Sequence, residues 1–150
     1  MNDTLPKRFV GGVCIKEGKV LLIHRINKER SLNQEYFMFP GRTVDDDESI
    51  EDALINEFKD FSVTVSLGDL LYSKEDEVDE SEYYYLCKHL LGDPLLNVAS
   101  EEKEIMAEGE QFYTPMWVSL SELDDIMIYP ESLKTHLVDI LEKTLYTENI

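Results

Sequence analysis

The sequence of 150 residues is poor in several features that mark particular classes of protein. Its two cysteines, Cys14 and Cys87, are too few for a disulfide framework, and both lie in apolar, strand-like runs, so we predict reduced core thiols. No apolar run approaches the roughly 20 residues that a membrane-spanning helix needs, and the opening MNDTLPKR lacks the apolar stretch of a secretory signal. These absences favour a cytoplasmic protein without a membrane partner.

Basic residues are also scarce, since 14 Lys and Arg face 32 Asp and Glu and give a net charge of −18. Such a charge repels a phosphate backbone or an anionic lipid surface, which excludes binding to long nucleic acids or membranes by phosphate neutralisation. The excess of acidic residues is not spread evenly along the chain. Residues 1–42 hold 8 basic and 4 acidic residues, including all four arginines, whereas residues 43–150 hold 6 and 28. Positive charge for a small anionic ligand therefore comes mainly from the N-terminal stretch.

The residues that are present predict a single domain over residues 1–150, a length that can bury a proper core. Gly18 in a short polar gap predicts a hairpin turn, Pro40-Gly41 is predicted to end an aromatic strand, and Pro130 suits the start of a final helix. The order of strands, helix, strands and helices favours an α/β (α+β) fold with a mixed sheet packed between helices. The predicted strands are 8–15, 20–24, 36–39, 63–72, 83–91 and 114–118.

The clearest predicted helix begins after Ser49. Residues 49–52 (SIED) resemble a capping box, and the acidic residues 45–48 just before them complement the positive end of a helix dipole. Apolar residues recur at helical spacing and define a buried face, namely Ile50, Ala53, Leu54, Phe58 and Phe61.

Glu57 does not fit this helix, because it projects into the apolar face, and Asp60 follows at the edge of that face. Carboxylates are rarely buried unless they pair with a positive charge or bind a cation. Spaced at i and i+3, the two side chains point the same way and are able to share one hard cation through oxygen. The alternative is an ion pair between Glu57 and a basic residue such as Arg8 or Arg25. The sequence leaves both interpretations open.

The residues around this helix resemble the signature of the Nudix hydrolase family (MutT-like). That signature is a Gly, five residues, a Glu, seven residues and then Arg-Glu-apolar-x-Glu-Glu-x-Gly-apolar, usually after an aromatic strand that ends in Pro-Gly-Gly. Residues 36–42 (YFMFPGR) resemble this approach, Glu48 falls at the first acidic position, and residues 56–64 (NEFKDFSVT) overlay the Arg-Glu core.

The resemblance extends to residues 18–25, residues 113–123 and residues 129–131, so that it covers a core of about 8–141. It implies a Nudix-type α/β/α sandwich with a mixed β-sheet between helices. It also implies a metal-dependent pyrophosphohydrolase that cleaves a diphosphate linkage in a small nucleoside diphosphate-type substrate.

The resemblance further implies Mg²⁺ or Mn²⁺ held by carboxylates of the helix, with Glu57 and Asp60 as both catalytic and metal-binding residues. By position in the second acidic stretch, Glu108 or Glu110 is expected to supply a further ligand. Such a cation neutralises charge on a diphosphate and helps to generate hydroxide, while a carboxylate acts as ligand or general base. The residues expected to bind the substrate are Arg8, His24, Arg25 and Arg42.

The box at residues 41–64 departs from the signature. Phe61 stands in place of the second tandem Glu, and Asn56 replaces the Arg. Arg42 and Val63 replace glycines, which matters if either position needs a positive φ. We therefore keep a second hypothesis, a catalytically impaired Nudix-like domain that binds a nucleotide or regulates a partner. The sequence leaves open whether the chain works as a monomer or a homodimer.

Overall fold

The computed structural model describes residues 7–28, 34–75, 80–95 and 111–148. The helices within these ranges are α1 (Ile50–Asp60), a short 3-10 helix (Leu120–Asp125) and α2 (Glu131–Glu148). The strands are β1 (Lys7–Lys16), β2 (Lys19–Asn27), β3 (Gln34–Met38), β4 (Gly41–Val44), β5 (Thr64–Glu75), β6 (Glu80–Leu91), β7 (Gln111–Ser119) and β8 (Ile128–Tyr129).

Strand β1 organises the mixed sheet. It pairs in parallel with β6 and antiparallel with β4 along its first part, and it pairs antiparallel with β2 at its C-terminal end. Strand β2 pairs antiparallel with β3 and β7, β8 joins β3 in parallel, and β5 joins β6 antiparallel. The sheet curls, since β1 exchanges partners along its length. The prediction of a mixed sheet is confirmed.

Different helices cover the two faces of the sheet. One core packs Phe58 of α1 against Val10 and Cys14 of β1, and the other packs Leu137 of α2 with Val13 of β1. Side chains alternate between the faces of a strand, so Val10 and Cys14 share one face and Val13 takes the other. The sheet therefore lies between helices, as the α/β/α arrangement requires.

Two consecutive glycines in β1 allow a buried ring to approach each face of the sheet. A Cβ atom on Gly11 would collide with the ring of Tyr84, and one on Gly12 would lie 2.5 Å from the ring of Phe58. The centre of β1 thus requires glycine on both faces, because a side chain there would displace one of these rings.

Helix α1 begins as predicted, since the Ser49 side chain accepts a hydrogen bond from the backbone N–H of Asp52 at 3.0 Å. Just beyond its end, the positive φ falls at Ser62 (65°), and Val63 is fully buried with its N–H donating to the carbonyl of Phe58 at 3.0 Å. The replacement of glycine by Val63 therefore causes no backbone strain.

Strand β4 is an element that the sequence pattern did not indicate. Pro40-Gly41 does end β3, but the carbonyl of Pro40 accepts a hydrogen bond from Gly12 at 2.9 Å, and the chain continues directly as a new strand beside β1. The predicted hairpin turn is confirmed by positive φ angles at Glu17 and Gly18. Helix α2 follows Pro130 as predicted, and none of the described helices is long and apolar enough to cross a membrane.

Cys14 and Cys87 are register partners on β1 and β6, and both are buried free thiols. Burial raises the pKa of Cys14 to about 11 and that of Cys87 to about 12. We expect neither thiol to react with iodoacetamide at pH 8 in the native protein, and both to react once urea unfolds it, as measured by mass spectrometry. A native thiol that is alkylated as fast as the unfolded one would contradict this burial.

The same shifts give a pH dependence of stability. For both thiols the folded pKa lies above the unfolded value of about 8.5. The stability that comes from burying them as neutral thiols is therefore complete below that pH and is lost as the pH rises towards 11. We expect the free energy of unfolding in urea to fall over this alkaline range. A double Cys14→Ala, Cys87→Ala variant should show a smaller fall.

Candidate functional site

Glu57 and Asp60 lie one turn apart on α1, beside Arg42 of β4. The side chain of Glu57 is only 6% exposed and that of Asp60 is 31% exposed. Arg42 donates through Nε to Glu57 Oε1 at 3.0 Å and through Nη2 to Asp60 Oδ2 at 2.5 Å. A single guanidinium therefore bridges the two carboxylates that the helical pattern singled out.

Among the ion pairs between described residues, Glu57 pairs with Arg42, a residue that the sequence analysis did not indicate when it named Arg8 or Arg25. The reason is β4, which was not predicted: it pairs with β1 and packs against α1, and this brings Arg42 within reach of the helix. Burial alone would lower the pKa of Arg42, but the charges and hydrogen bonds of Glu57 and Asp60 raise it above its ordinary value. The guanidinium stays charged at any pH at which the domain folds.

The bridged pair borders a polar cavity of about 350 Å³, which we call the acidic cavity. Asp45 and Glu48 also line it, so four acidic side chains and one arginine meet there. Glu48 Oε1 accepts a hydrogen bond from the backbone N–H of Asp45 at 3.4 Å. With one guanidinium against four carboxylates, the cavity attracts cations rather than free anions.

A smaller cleft of about 210 Å³ adjoins the acidic cavity, and Thr43 lines both. Lys7 and Arg8 line this second space, which we call the Lys7–Arg8 cleft. Arg8 lies part-buried, with Nη2 3.4 Å from the carbonyl oxygen of Glu48. The lining holds these two basic residues and one acidic residue, Glu82, so the cleft offers positive charge that can bind phosphate oxygens.

A third space of about 720 Å³, the aromatic cavity, shares Phe9 and Glu82 with the Lys7–Arg8 cleft. Arg25 lines it, with its guanidinium carbon 5.8 Å from the ring centre of Tyr36. The ring of Phe9 also lies against Gly41, since a Cβ there would come within 2.6 Å of it. Aromatic walls with a few polar groups suit a flat ligand. The aromatic residues lining the cavity are Phe9, Tyr36, Phe39, Tyr84 and Tyr129.

The predicted substrate-binding residues are distributed over these spaces. Arg8 lines the cleft, Arg25 the aromatic cavity and Arg42 the acidic cavity. His24 is not among the described residues that line any of the three: its Nε2 lies 2.7 Å from Glu35 Oε1, and its ring stacks on Phe37 at 4.8 Å. Its contact with Glu35 connects it to the aromatic cavity, which Glu35 lines.

The aromatic cavity itself was missed by the sequence analysis. Its rings come from β1, β3, β6, the short strand β8 and the connection between β3 and β4, which holds Phe39, so no local spacing reveals them. The three consecutive tyrosines at residues 83–85 favoured a strand over a base-stacking surface, and the alternation along β6 turns Tyr84 into the buried wall. An aromatic residue isolated on each of several strands was the available signal, and it has meaning only once the strand order is known.

Phe61 stands where the signature has a metal-binding Glu, and it is a core residue. It is 2% exposed and packs with Ile23, Met38 and Tyr113. Within the described parts of the chain, no three His, Cys, Asp or Glu side chains are grouped so as to hold a metal ion. Glu108 and Glu110 lie outside the described residues.

The donor set of Glu57 and Asp60 still fits a hard divalent cation of a particular kind. Mg²⁺ is commonly held by one or two carboxylates, with water and substrate phosphates completing its shell. Two oxygen-bearing side chains one turn apart, beside a cleft suited to phosphates, meet that description. The fit requires Arg42 to release the pair, because its guanidinium already binds both carboxylates.

Neither a protein-family model nor a curated protein matches this sequence. Solved structures do match. A MutT structure, from a study of the Aliivibrio salmonicida and Vibrio cholerae proteins, is 16% identical with a TM-score of 0.65, and the match covers 89% of this chain and 96% of that one.

Two further structures show the same relationship. A Nudix hydrolase from Nitrosomonas europaea is 15% identical with a TM-score of 0.67, covering 97% of this chain and 75% of that one. An ADP-ribose pyrophosphatase from Streptococcus suis is 20% identical with a TM-score of 0.57, covering 83% and 80%. The chain therefore has a Nudix-like α+β fold, in which a mixed, curled sheet packs with helices.

Phe61→Glu tests whether the missing ligand can be restored. Because the position is sealed in the core, we expect the change to lower the free energy of unfolding by more than about 3 kcal/mol. Phe61→Leu, the matched apolar control, should cost only about 1 kcal/mol. Urea denaturation followed by the fluorescence of the single tryptophan, Trp117, measures both. A stable Phe61→Glu protein would show that the carboxylate reaches the acidic cavity.

Proposed function

We propose that the protein hydrolyses a diphosphate linkage in a small nucleoside diphosphate-type molecule. The observation that carries this proposal is the series of three adjoining spaces, in which the Lys7–Arg8 cleft shares lining residues with the aromatic cavity on one side and with the acidic cavity on the other. A base fits the aromatic cavity, phosphates fit the cleft, and the bond to be cleaved reaches the acidic cavity.

Each space offers the chemistry that its part of the ligand needs. Stacking on aromatic side chains stabilises a bound base by about 1–3 kcal/mol, and Arg8 with Lys7 supplies charge-assisted hydrogen bonds to phosphate oxygens. We assign Arg25 to binding beside the base because it lines the aromatic cavity, and His24 to an indirect role through its contact with Glu35. The strong negative charge elsewhere supports a small substrate and disfavours long nucleic acids.

The fold supports the same class of reaction. Two of the structural neighbours are an ADP-ribose pyrophosphatase and an ADP compounds hydrolase.

Both buried thiols are free, which supports the predicted cytoplasmic location, where thiols stay reduced.

In the proposed reaction, Glu57 accepts a proton from the attacking water. The water oxygen forms a new bond to phosphorus, and the bridging P–O bond of the diphosphate breaks. Asp60 is the second catalytic carboxylate and orients the water.

Glu57 and Asp60 would hold Mg²⁺ or Mn²⁺, with Glu108 or Glu110 as a further ligand. When bound, the cation supplies charge neutralisation on the diphosphate and acidifies a bound water. Arg42, once it has released the carboxylates, is placed to bind a phosphate oxygen.

A second candidate function is nucleotide binding without turnover, which two observations favour. Arg42 bridges both candidate catalytic carboxylates, and Phe61 buries an apolar ring where the signature supplies a ligand. Such a domain would bind the same ligand through the aromatic cavity and the cleft. It would not cleave the ligand, and the bound state would instead regulate a partner.

Turnover by Glu57 is tested with a panel of nucleoside diphosphate derivatives at millimolar Mg²⁺ or Mn²⁺. We expect cleavage of at least one compound, and a rate about 100-fold lower in Glu57→Gln, because the proton acceptor is removed. Glu51→Gln is the matched control, since it removes the same charge from an exposed position of α1. Release of phosphate-containing products, followed by chromatography, measures the rate. Binding without cleavage would favour the second function, and absence of both would overturn the two together.

The assignment of cleft and cavity is tested by ligand affinity. Arg8→Gln should weaken binding of a non-hydrolysable nucleoside diphosphate about tenfold at low salt, and less at high salt, because the lost attraction is screened. Tyr129→Leu should weaken it by a factor that salt leaves unchanged. Isothermal titration calorimetry at two salt concentrations measures both. Lys16→Gln, at the opposite, exposed end of β1, is the control. A loss in that variant as large as in Arg8→Gln would show a general charge effect instead.

A further inference from the structure

We infer that Arg42 acts as a built-in cation that competes with a divalent metal for Glu57 and Asp60, and thereby sets how tightly the ligand-free protein binds metal. The inference deepens the proposed function, on which it rests for the presence of a metal at this pair. It concerns regulation of the same site by a side chain of this chain.

The geometry of the bridge is the first support. Nε binds one carboxylate and Nη2 the other, so the guanidinium uses two of its donors on two acceptors at once. Hydrogen bonds between ionised groups are about twice as strong as those between neutral ones. Glu57 is almost fully buried, so water and salt screen its half of the bridge only weakly. A metal ion therefore has to displace a strong ion-pair bridge, from which water is partly excluded.

The anchoring of Arg42 is the second support. Its backbone is the register partner of Val10 in β4–β1, so a sheet rather than a loop presents the side chain to α1. A tethered group competes at an effective concentration of about millimolar or above, which is comparable with the metal concentrations that occupy weak carboxylate sites. The competitor is always present and always charged.

The composition of the acidic cavity is the third support. Among the described residues that line it, Arg42 is the one basic residue, facing four acidic ones. Lys7 and Arg8 line the neighbouring cleft instead. In the signature that residues 41–64 resemble, this position is a glycine, which has no side chain to place between the carboxylates.

The experiment measures Mn²⁺ binding to the ligand-free protein by the electron paramagnetic resonance signal of free Mn²⁺. We expect weak binding in the unmodified protein and binding about tenfold tighter or more in Arg42→Gln, because the competing cation is gone. Lys59→Gln, which removes one positive charge from an exposed position of α1, should change the affinity less than about twofold. Arg42→Gln combined with Glu57→Gln should lose the gain.

Two further measurements keep the inference testable if Arg42→Gln is unstable. Arg42→Lys keeps the charge but cannot bridge two carboxylates in the same planar geometry, so we expect a smaller gain in Mn²⁺ affinity. Mn²⁺ should also raise the thermal midpoint of Arg42→Lys more than that of the unmodified protein, because the metal binds the folded state more tightly.

Unchanged Mn²⁺ affinity in both Arg42 variants, or an equal gain in Lys59→Gln, would overturn the inference. These outcomes are separate from those of the proposed function, since no substrate is present. Tighter Mn²⁺ binding in Arg42→Gln, together with no turnover of any substrate by the unmodified protein, would leave the role of Arg42 standing and overturn hydrolysis.

Discussion

The bridge from Arg42 to Glu57 and Asp60 is the interaction on which the rest of the site depends. Glu57 lies in the apolar face of α1, where an uncompensated carboxylate would oppose packing of the helix against the sheet. Arg42 supplies the compensating charge from β4 and so ties the helix to the sheet at the acidic cavity. The same bridge sets the electrostatics of the cavity, because its single positive charge offsets half of the negative charge on the two carboxylates best placed for chemistry.

Strand β1 gives this bridge its surroundings. Its two glycines let Phe58 and Tyr84 pack against opposite faces of the sheet, and its first residues line the cleft and the aromatic cavity. The parallel pairing with β6 brings Tyr84 into the wall of the aromatic cavity, and the antiparallel pairing with β4 presents Arg42 to α1. One strand therefore positions groups of all three spaces.

Local patterns in the sequence were enough to predict the mixed sheet, the cap of α1 and the anomalous position of Glu57. Each of these depends on residues within one or two turns or strands, where periodicity carries the information. The pairing of Glu57 with Arg42 was not predictable in this way, since Arg42 is 15 residues away. The direction of its side chain depends on β4, a strand that the sequence pattern around Pro40-Gly41 did not indicate. The aromatic cavity was missed for the same reason, because its rings come from several strands and meet only through the order of the sheet.

The contact between Phe9 and Gly41 joins the aromatic cavity directly to the acidic cavity, two spaces that share none of their described lining residues. The ring of Phe9 is a wall of the aromatic cavity, and it rests on the backbone of the residue directly before Arg42. A ligand that pushes this ring towards β4 presses on the peptide that carries the guanidinium, whereas an empty cavity leaves it at rest. Close-packed interiors have low compressibility and therefore transmit strain. The packing of one phenylalanine thus couples the filling of the aromatic cavity mechanically to the peptide that precedes Arg42, at the border of the acidic cavity.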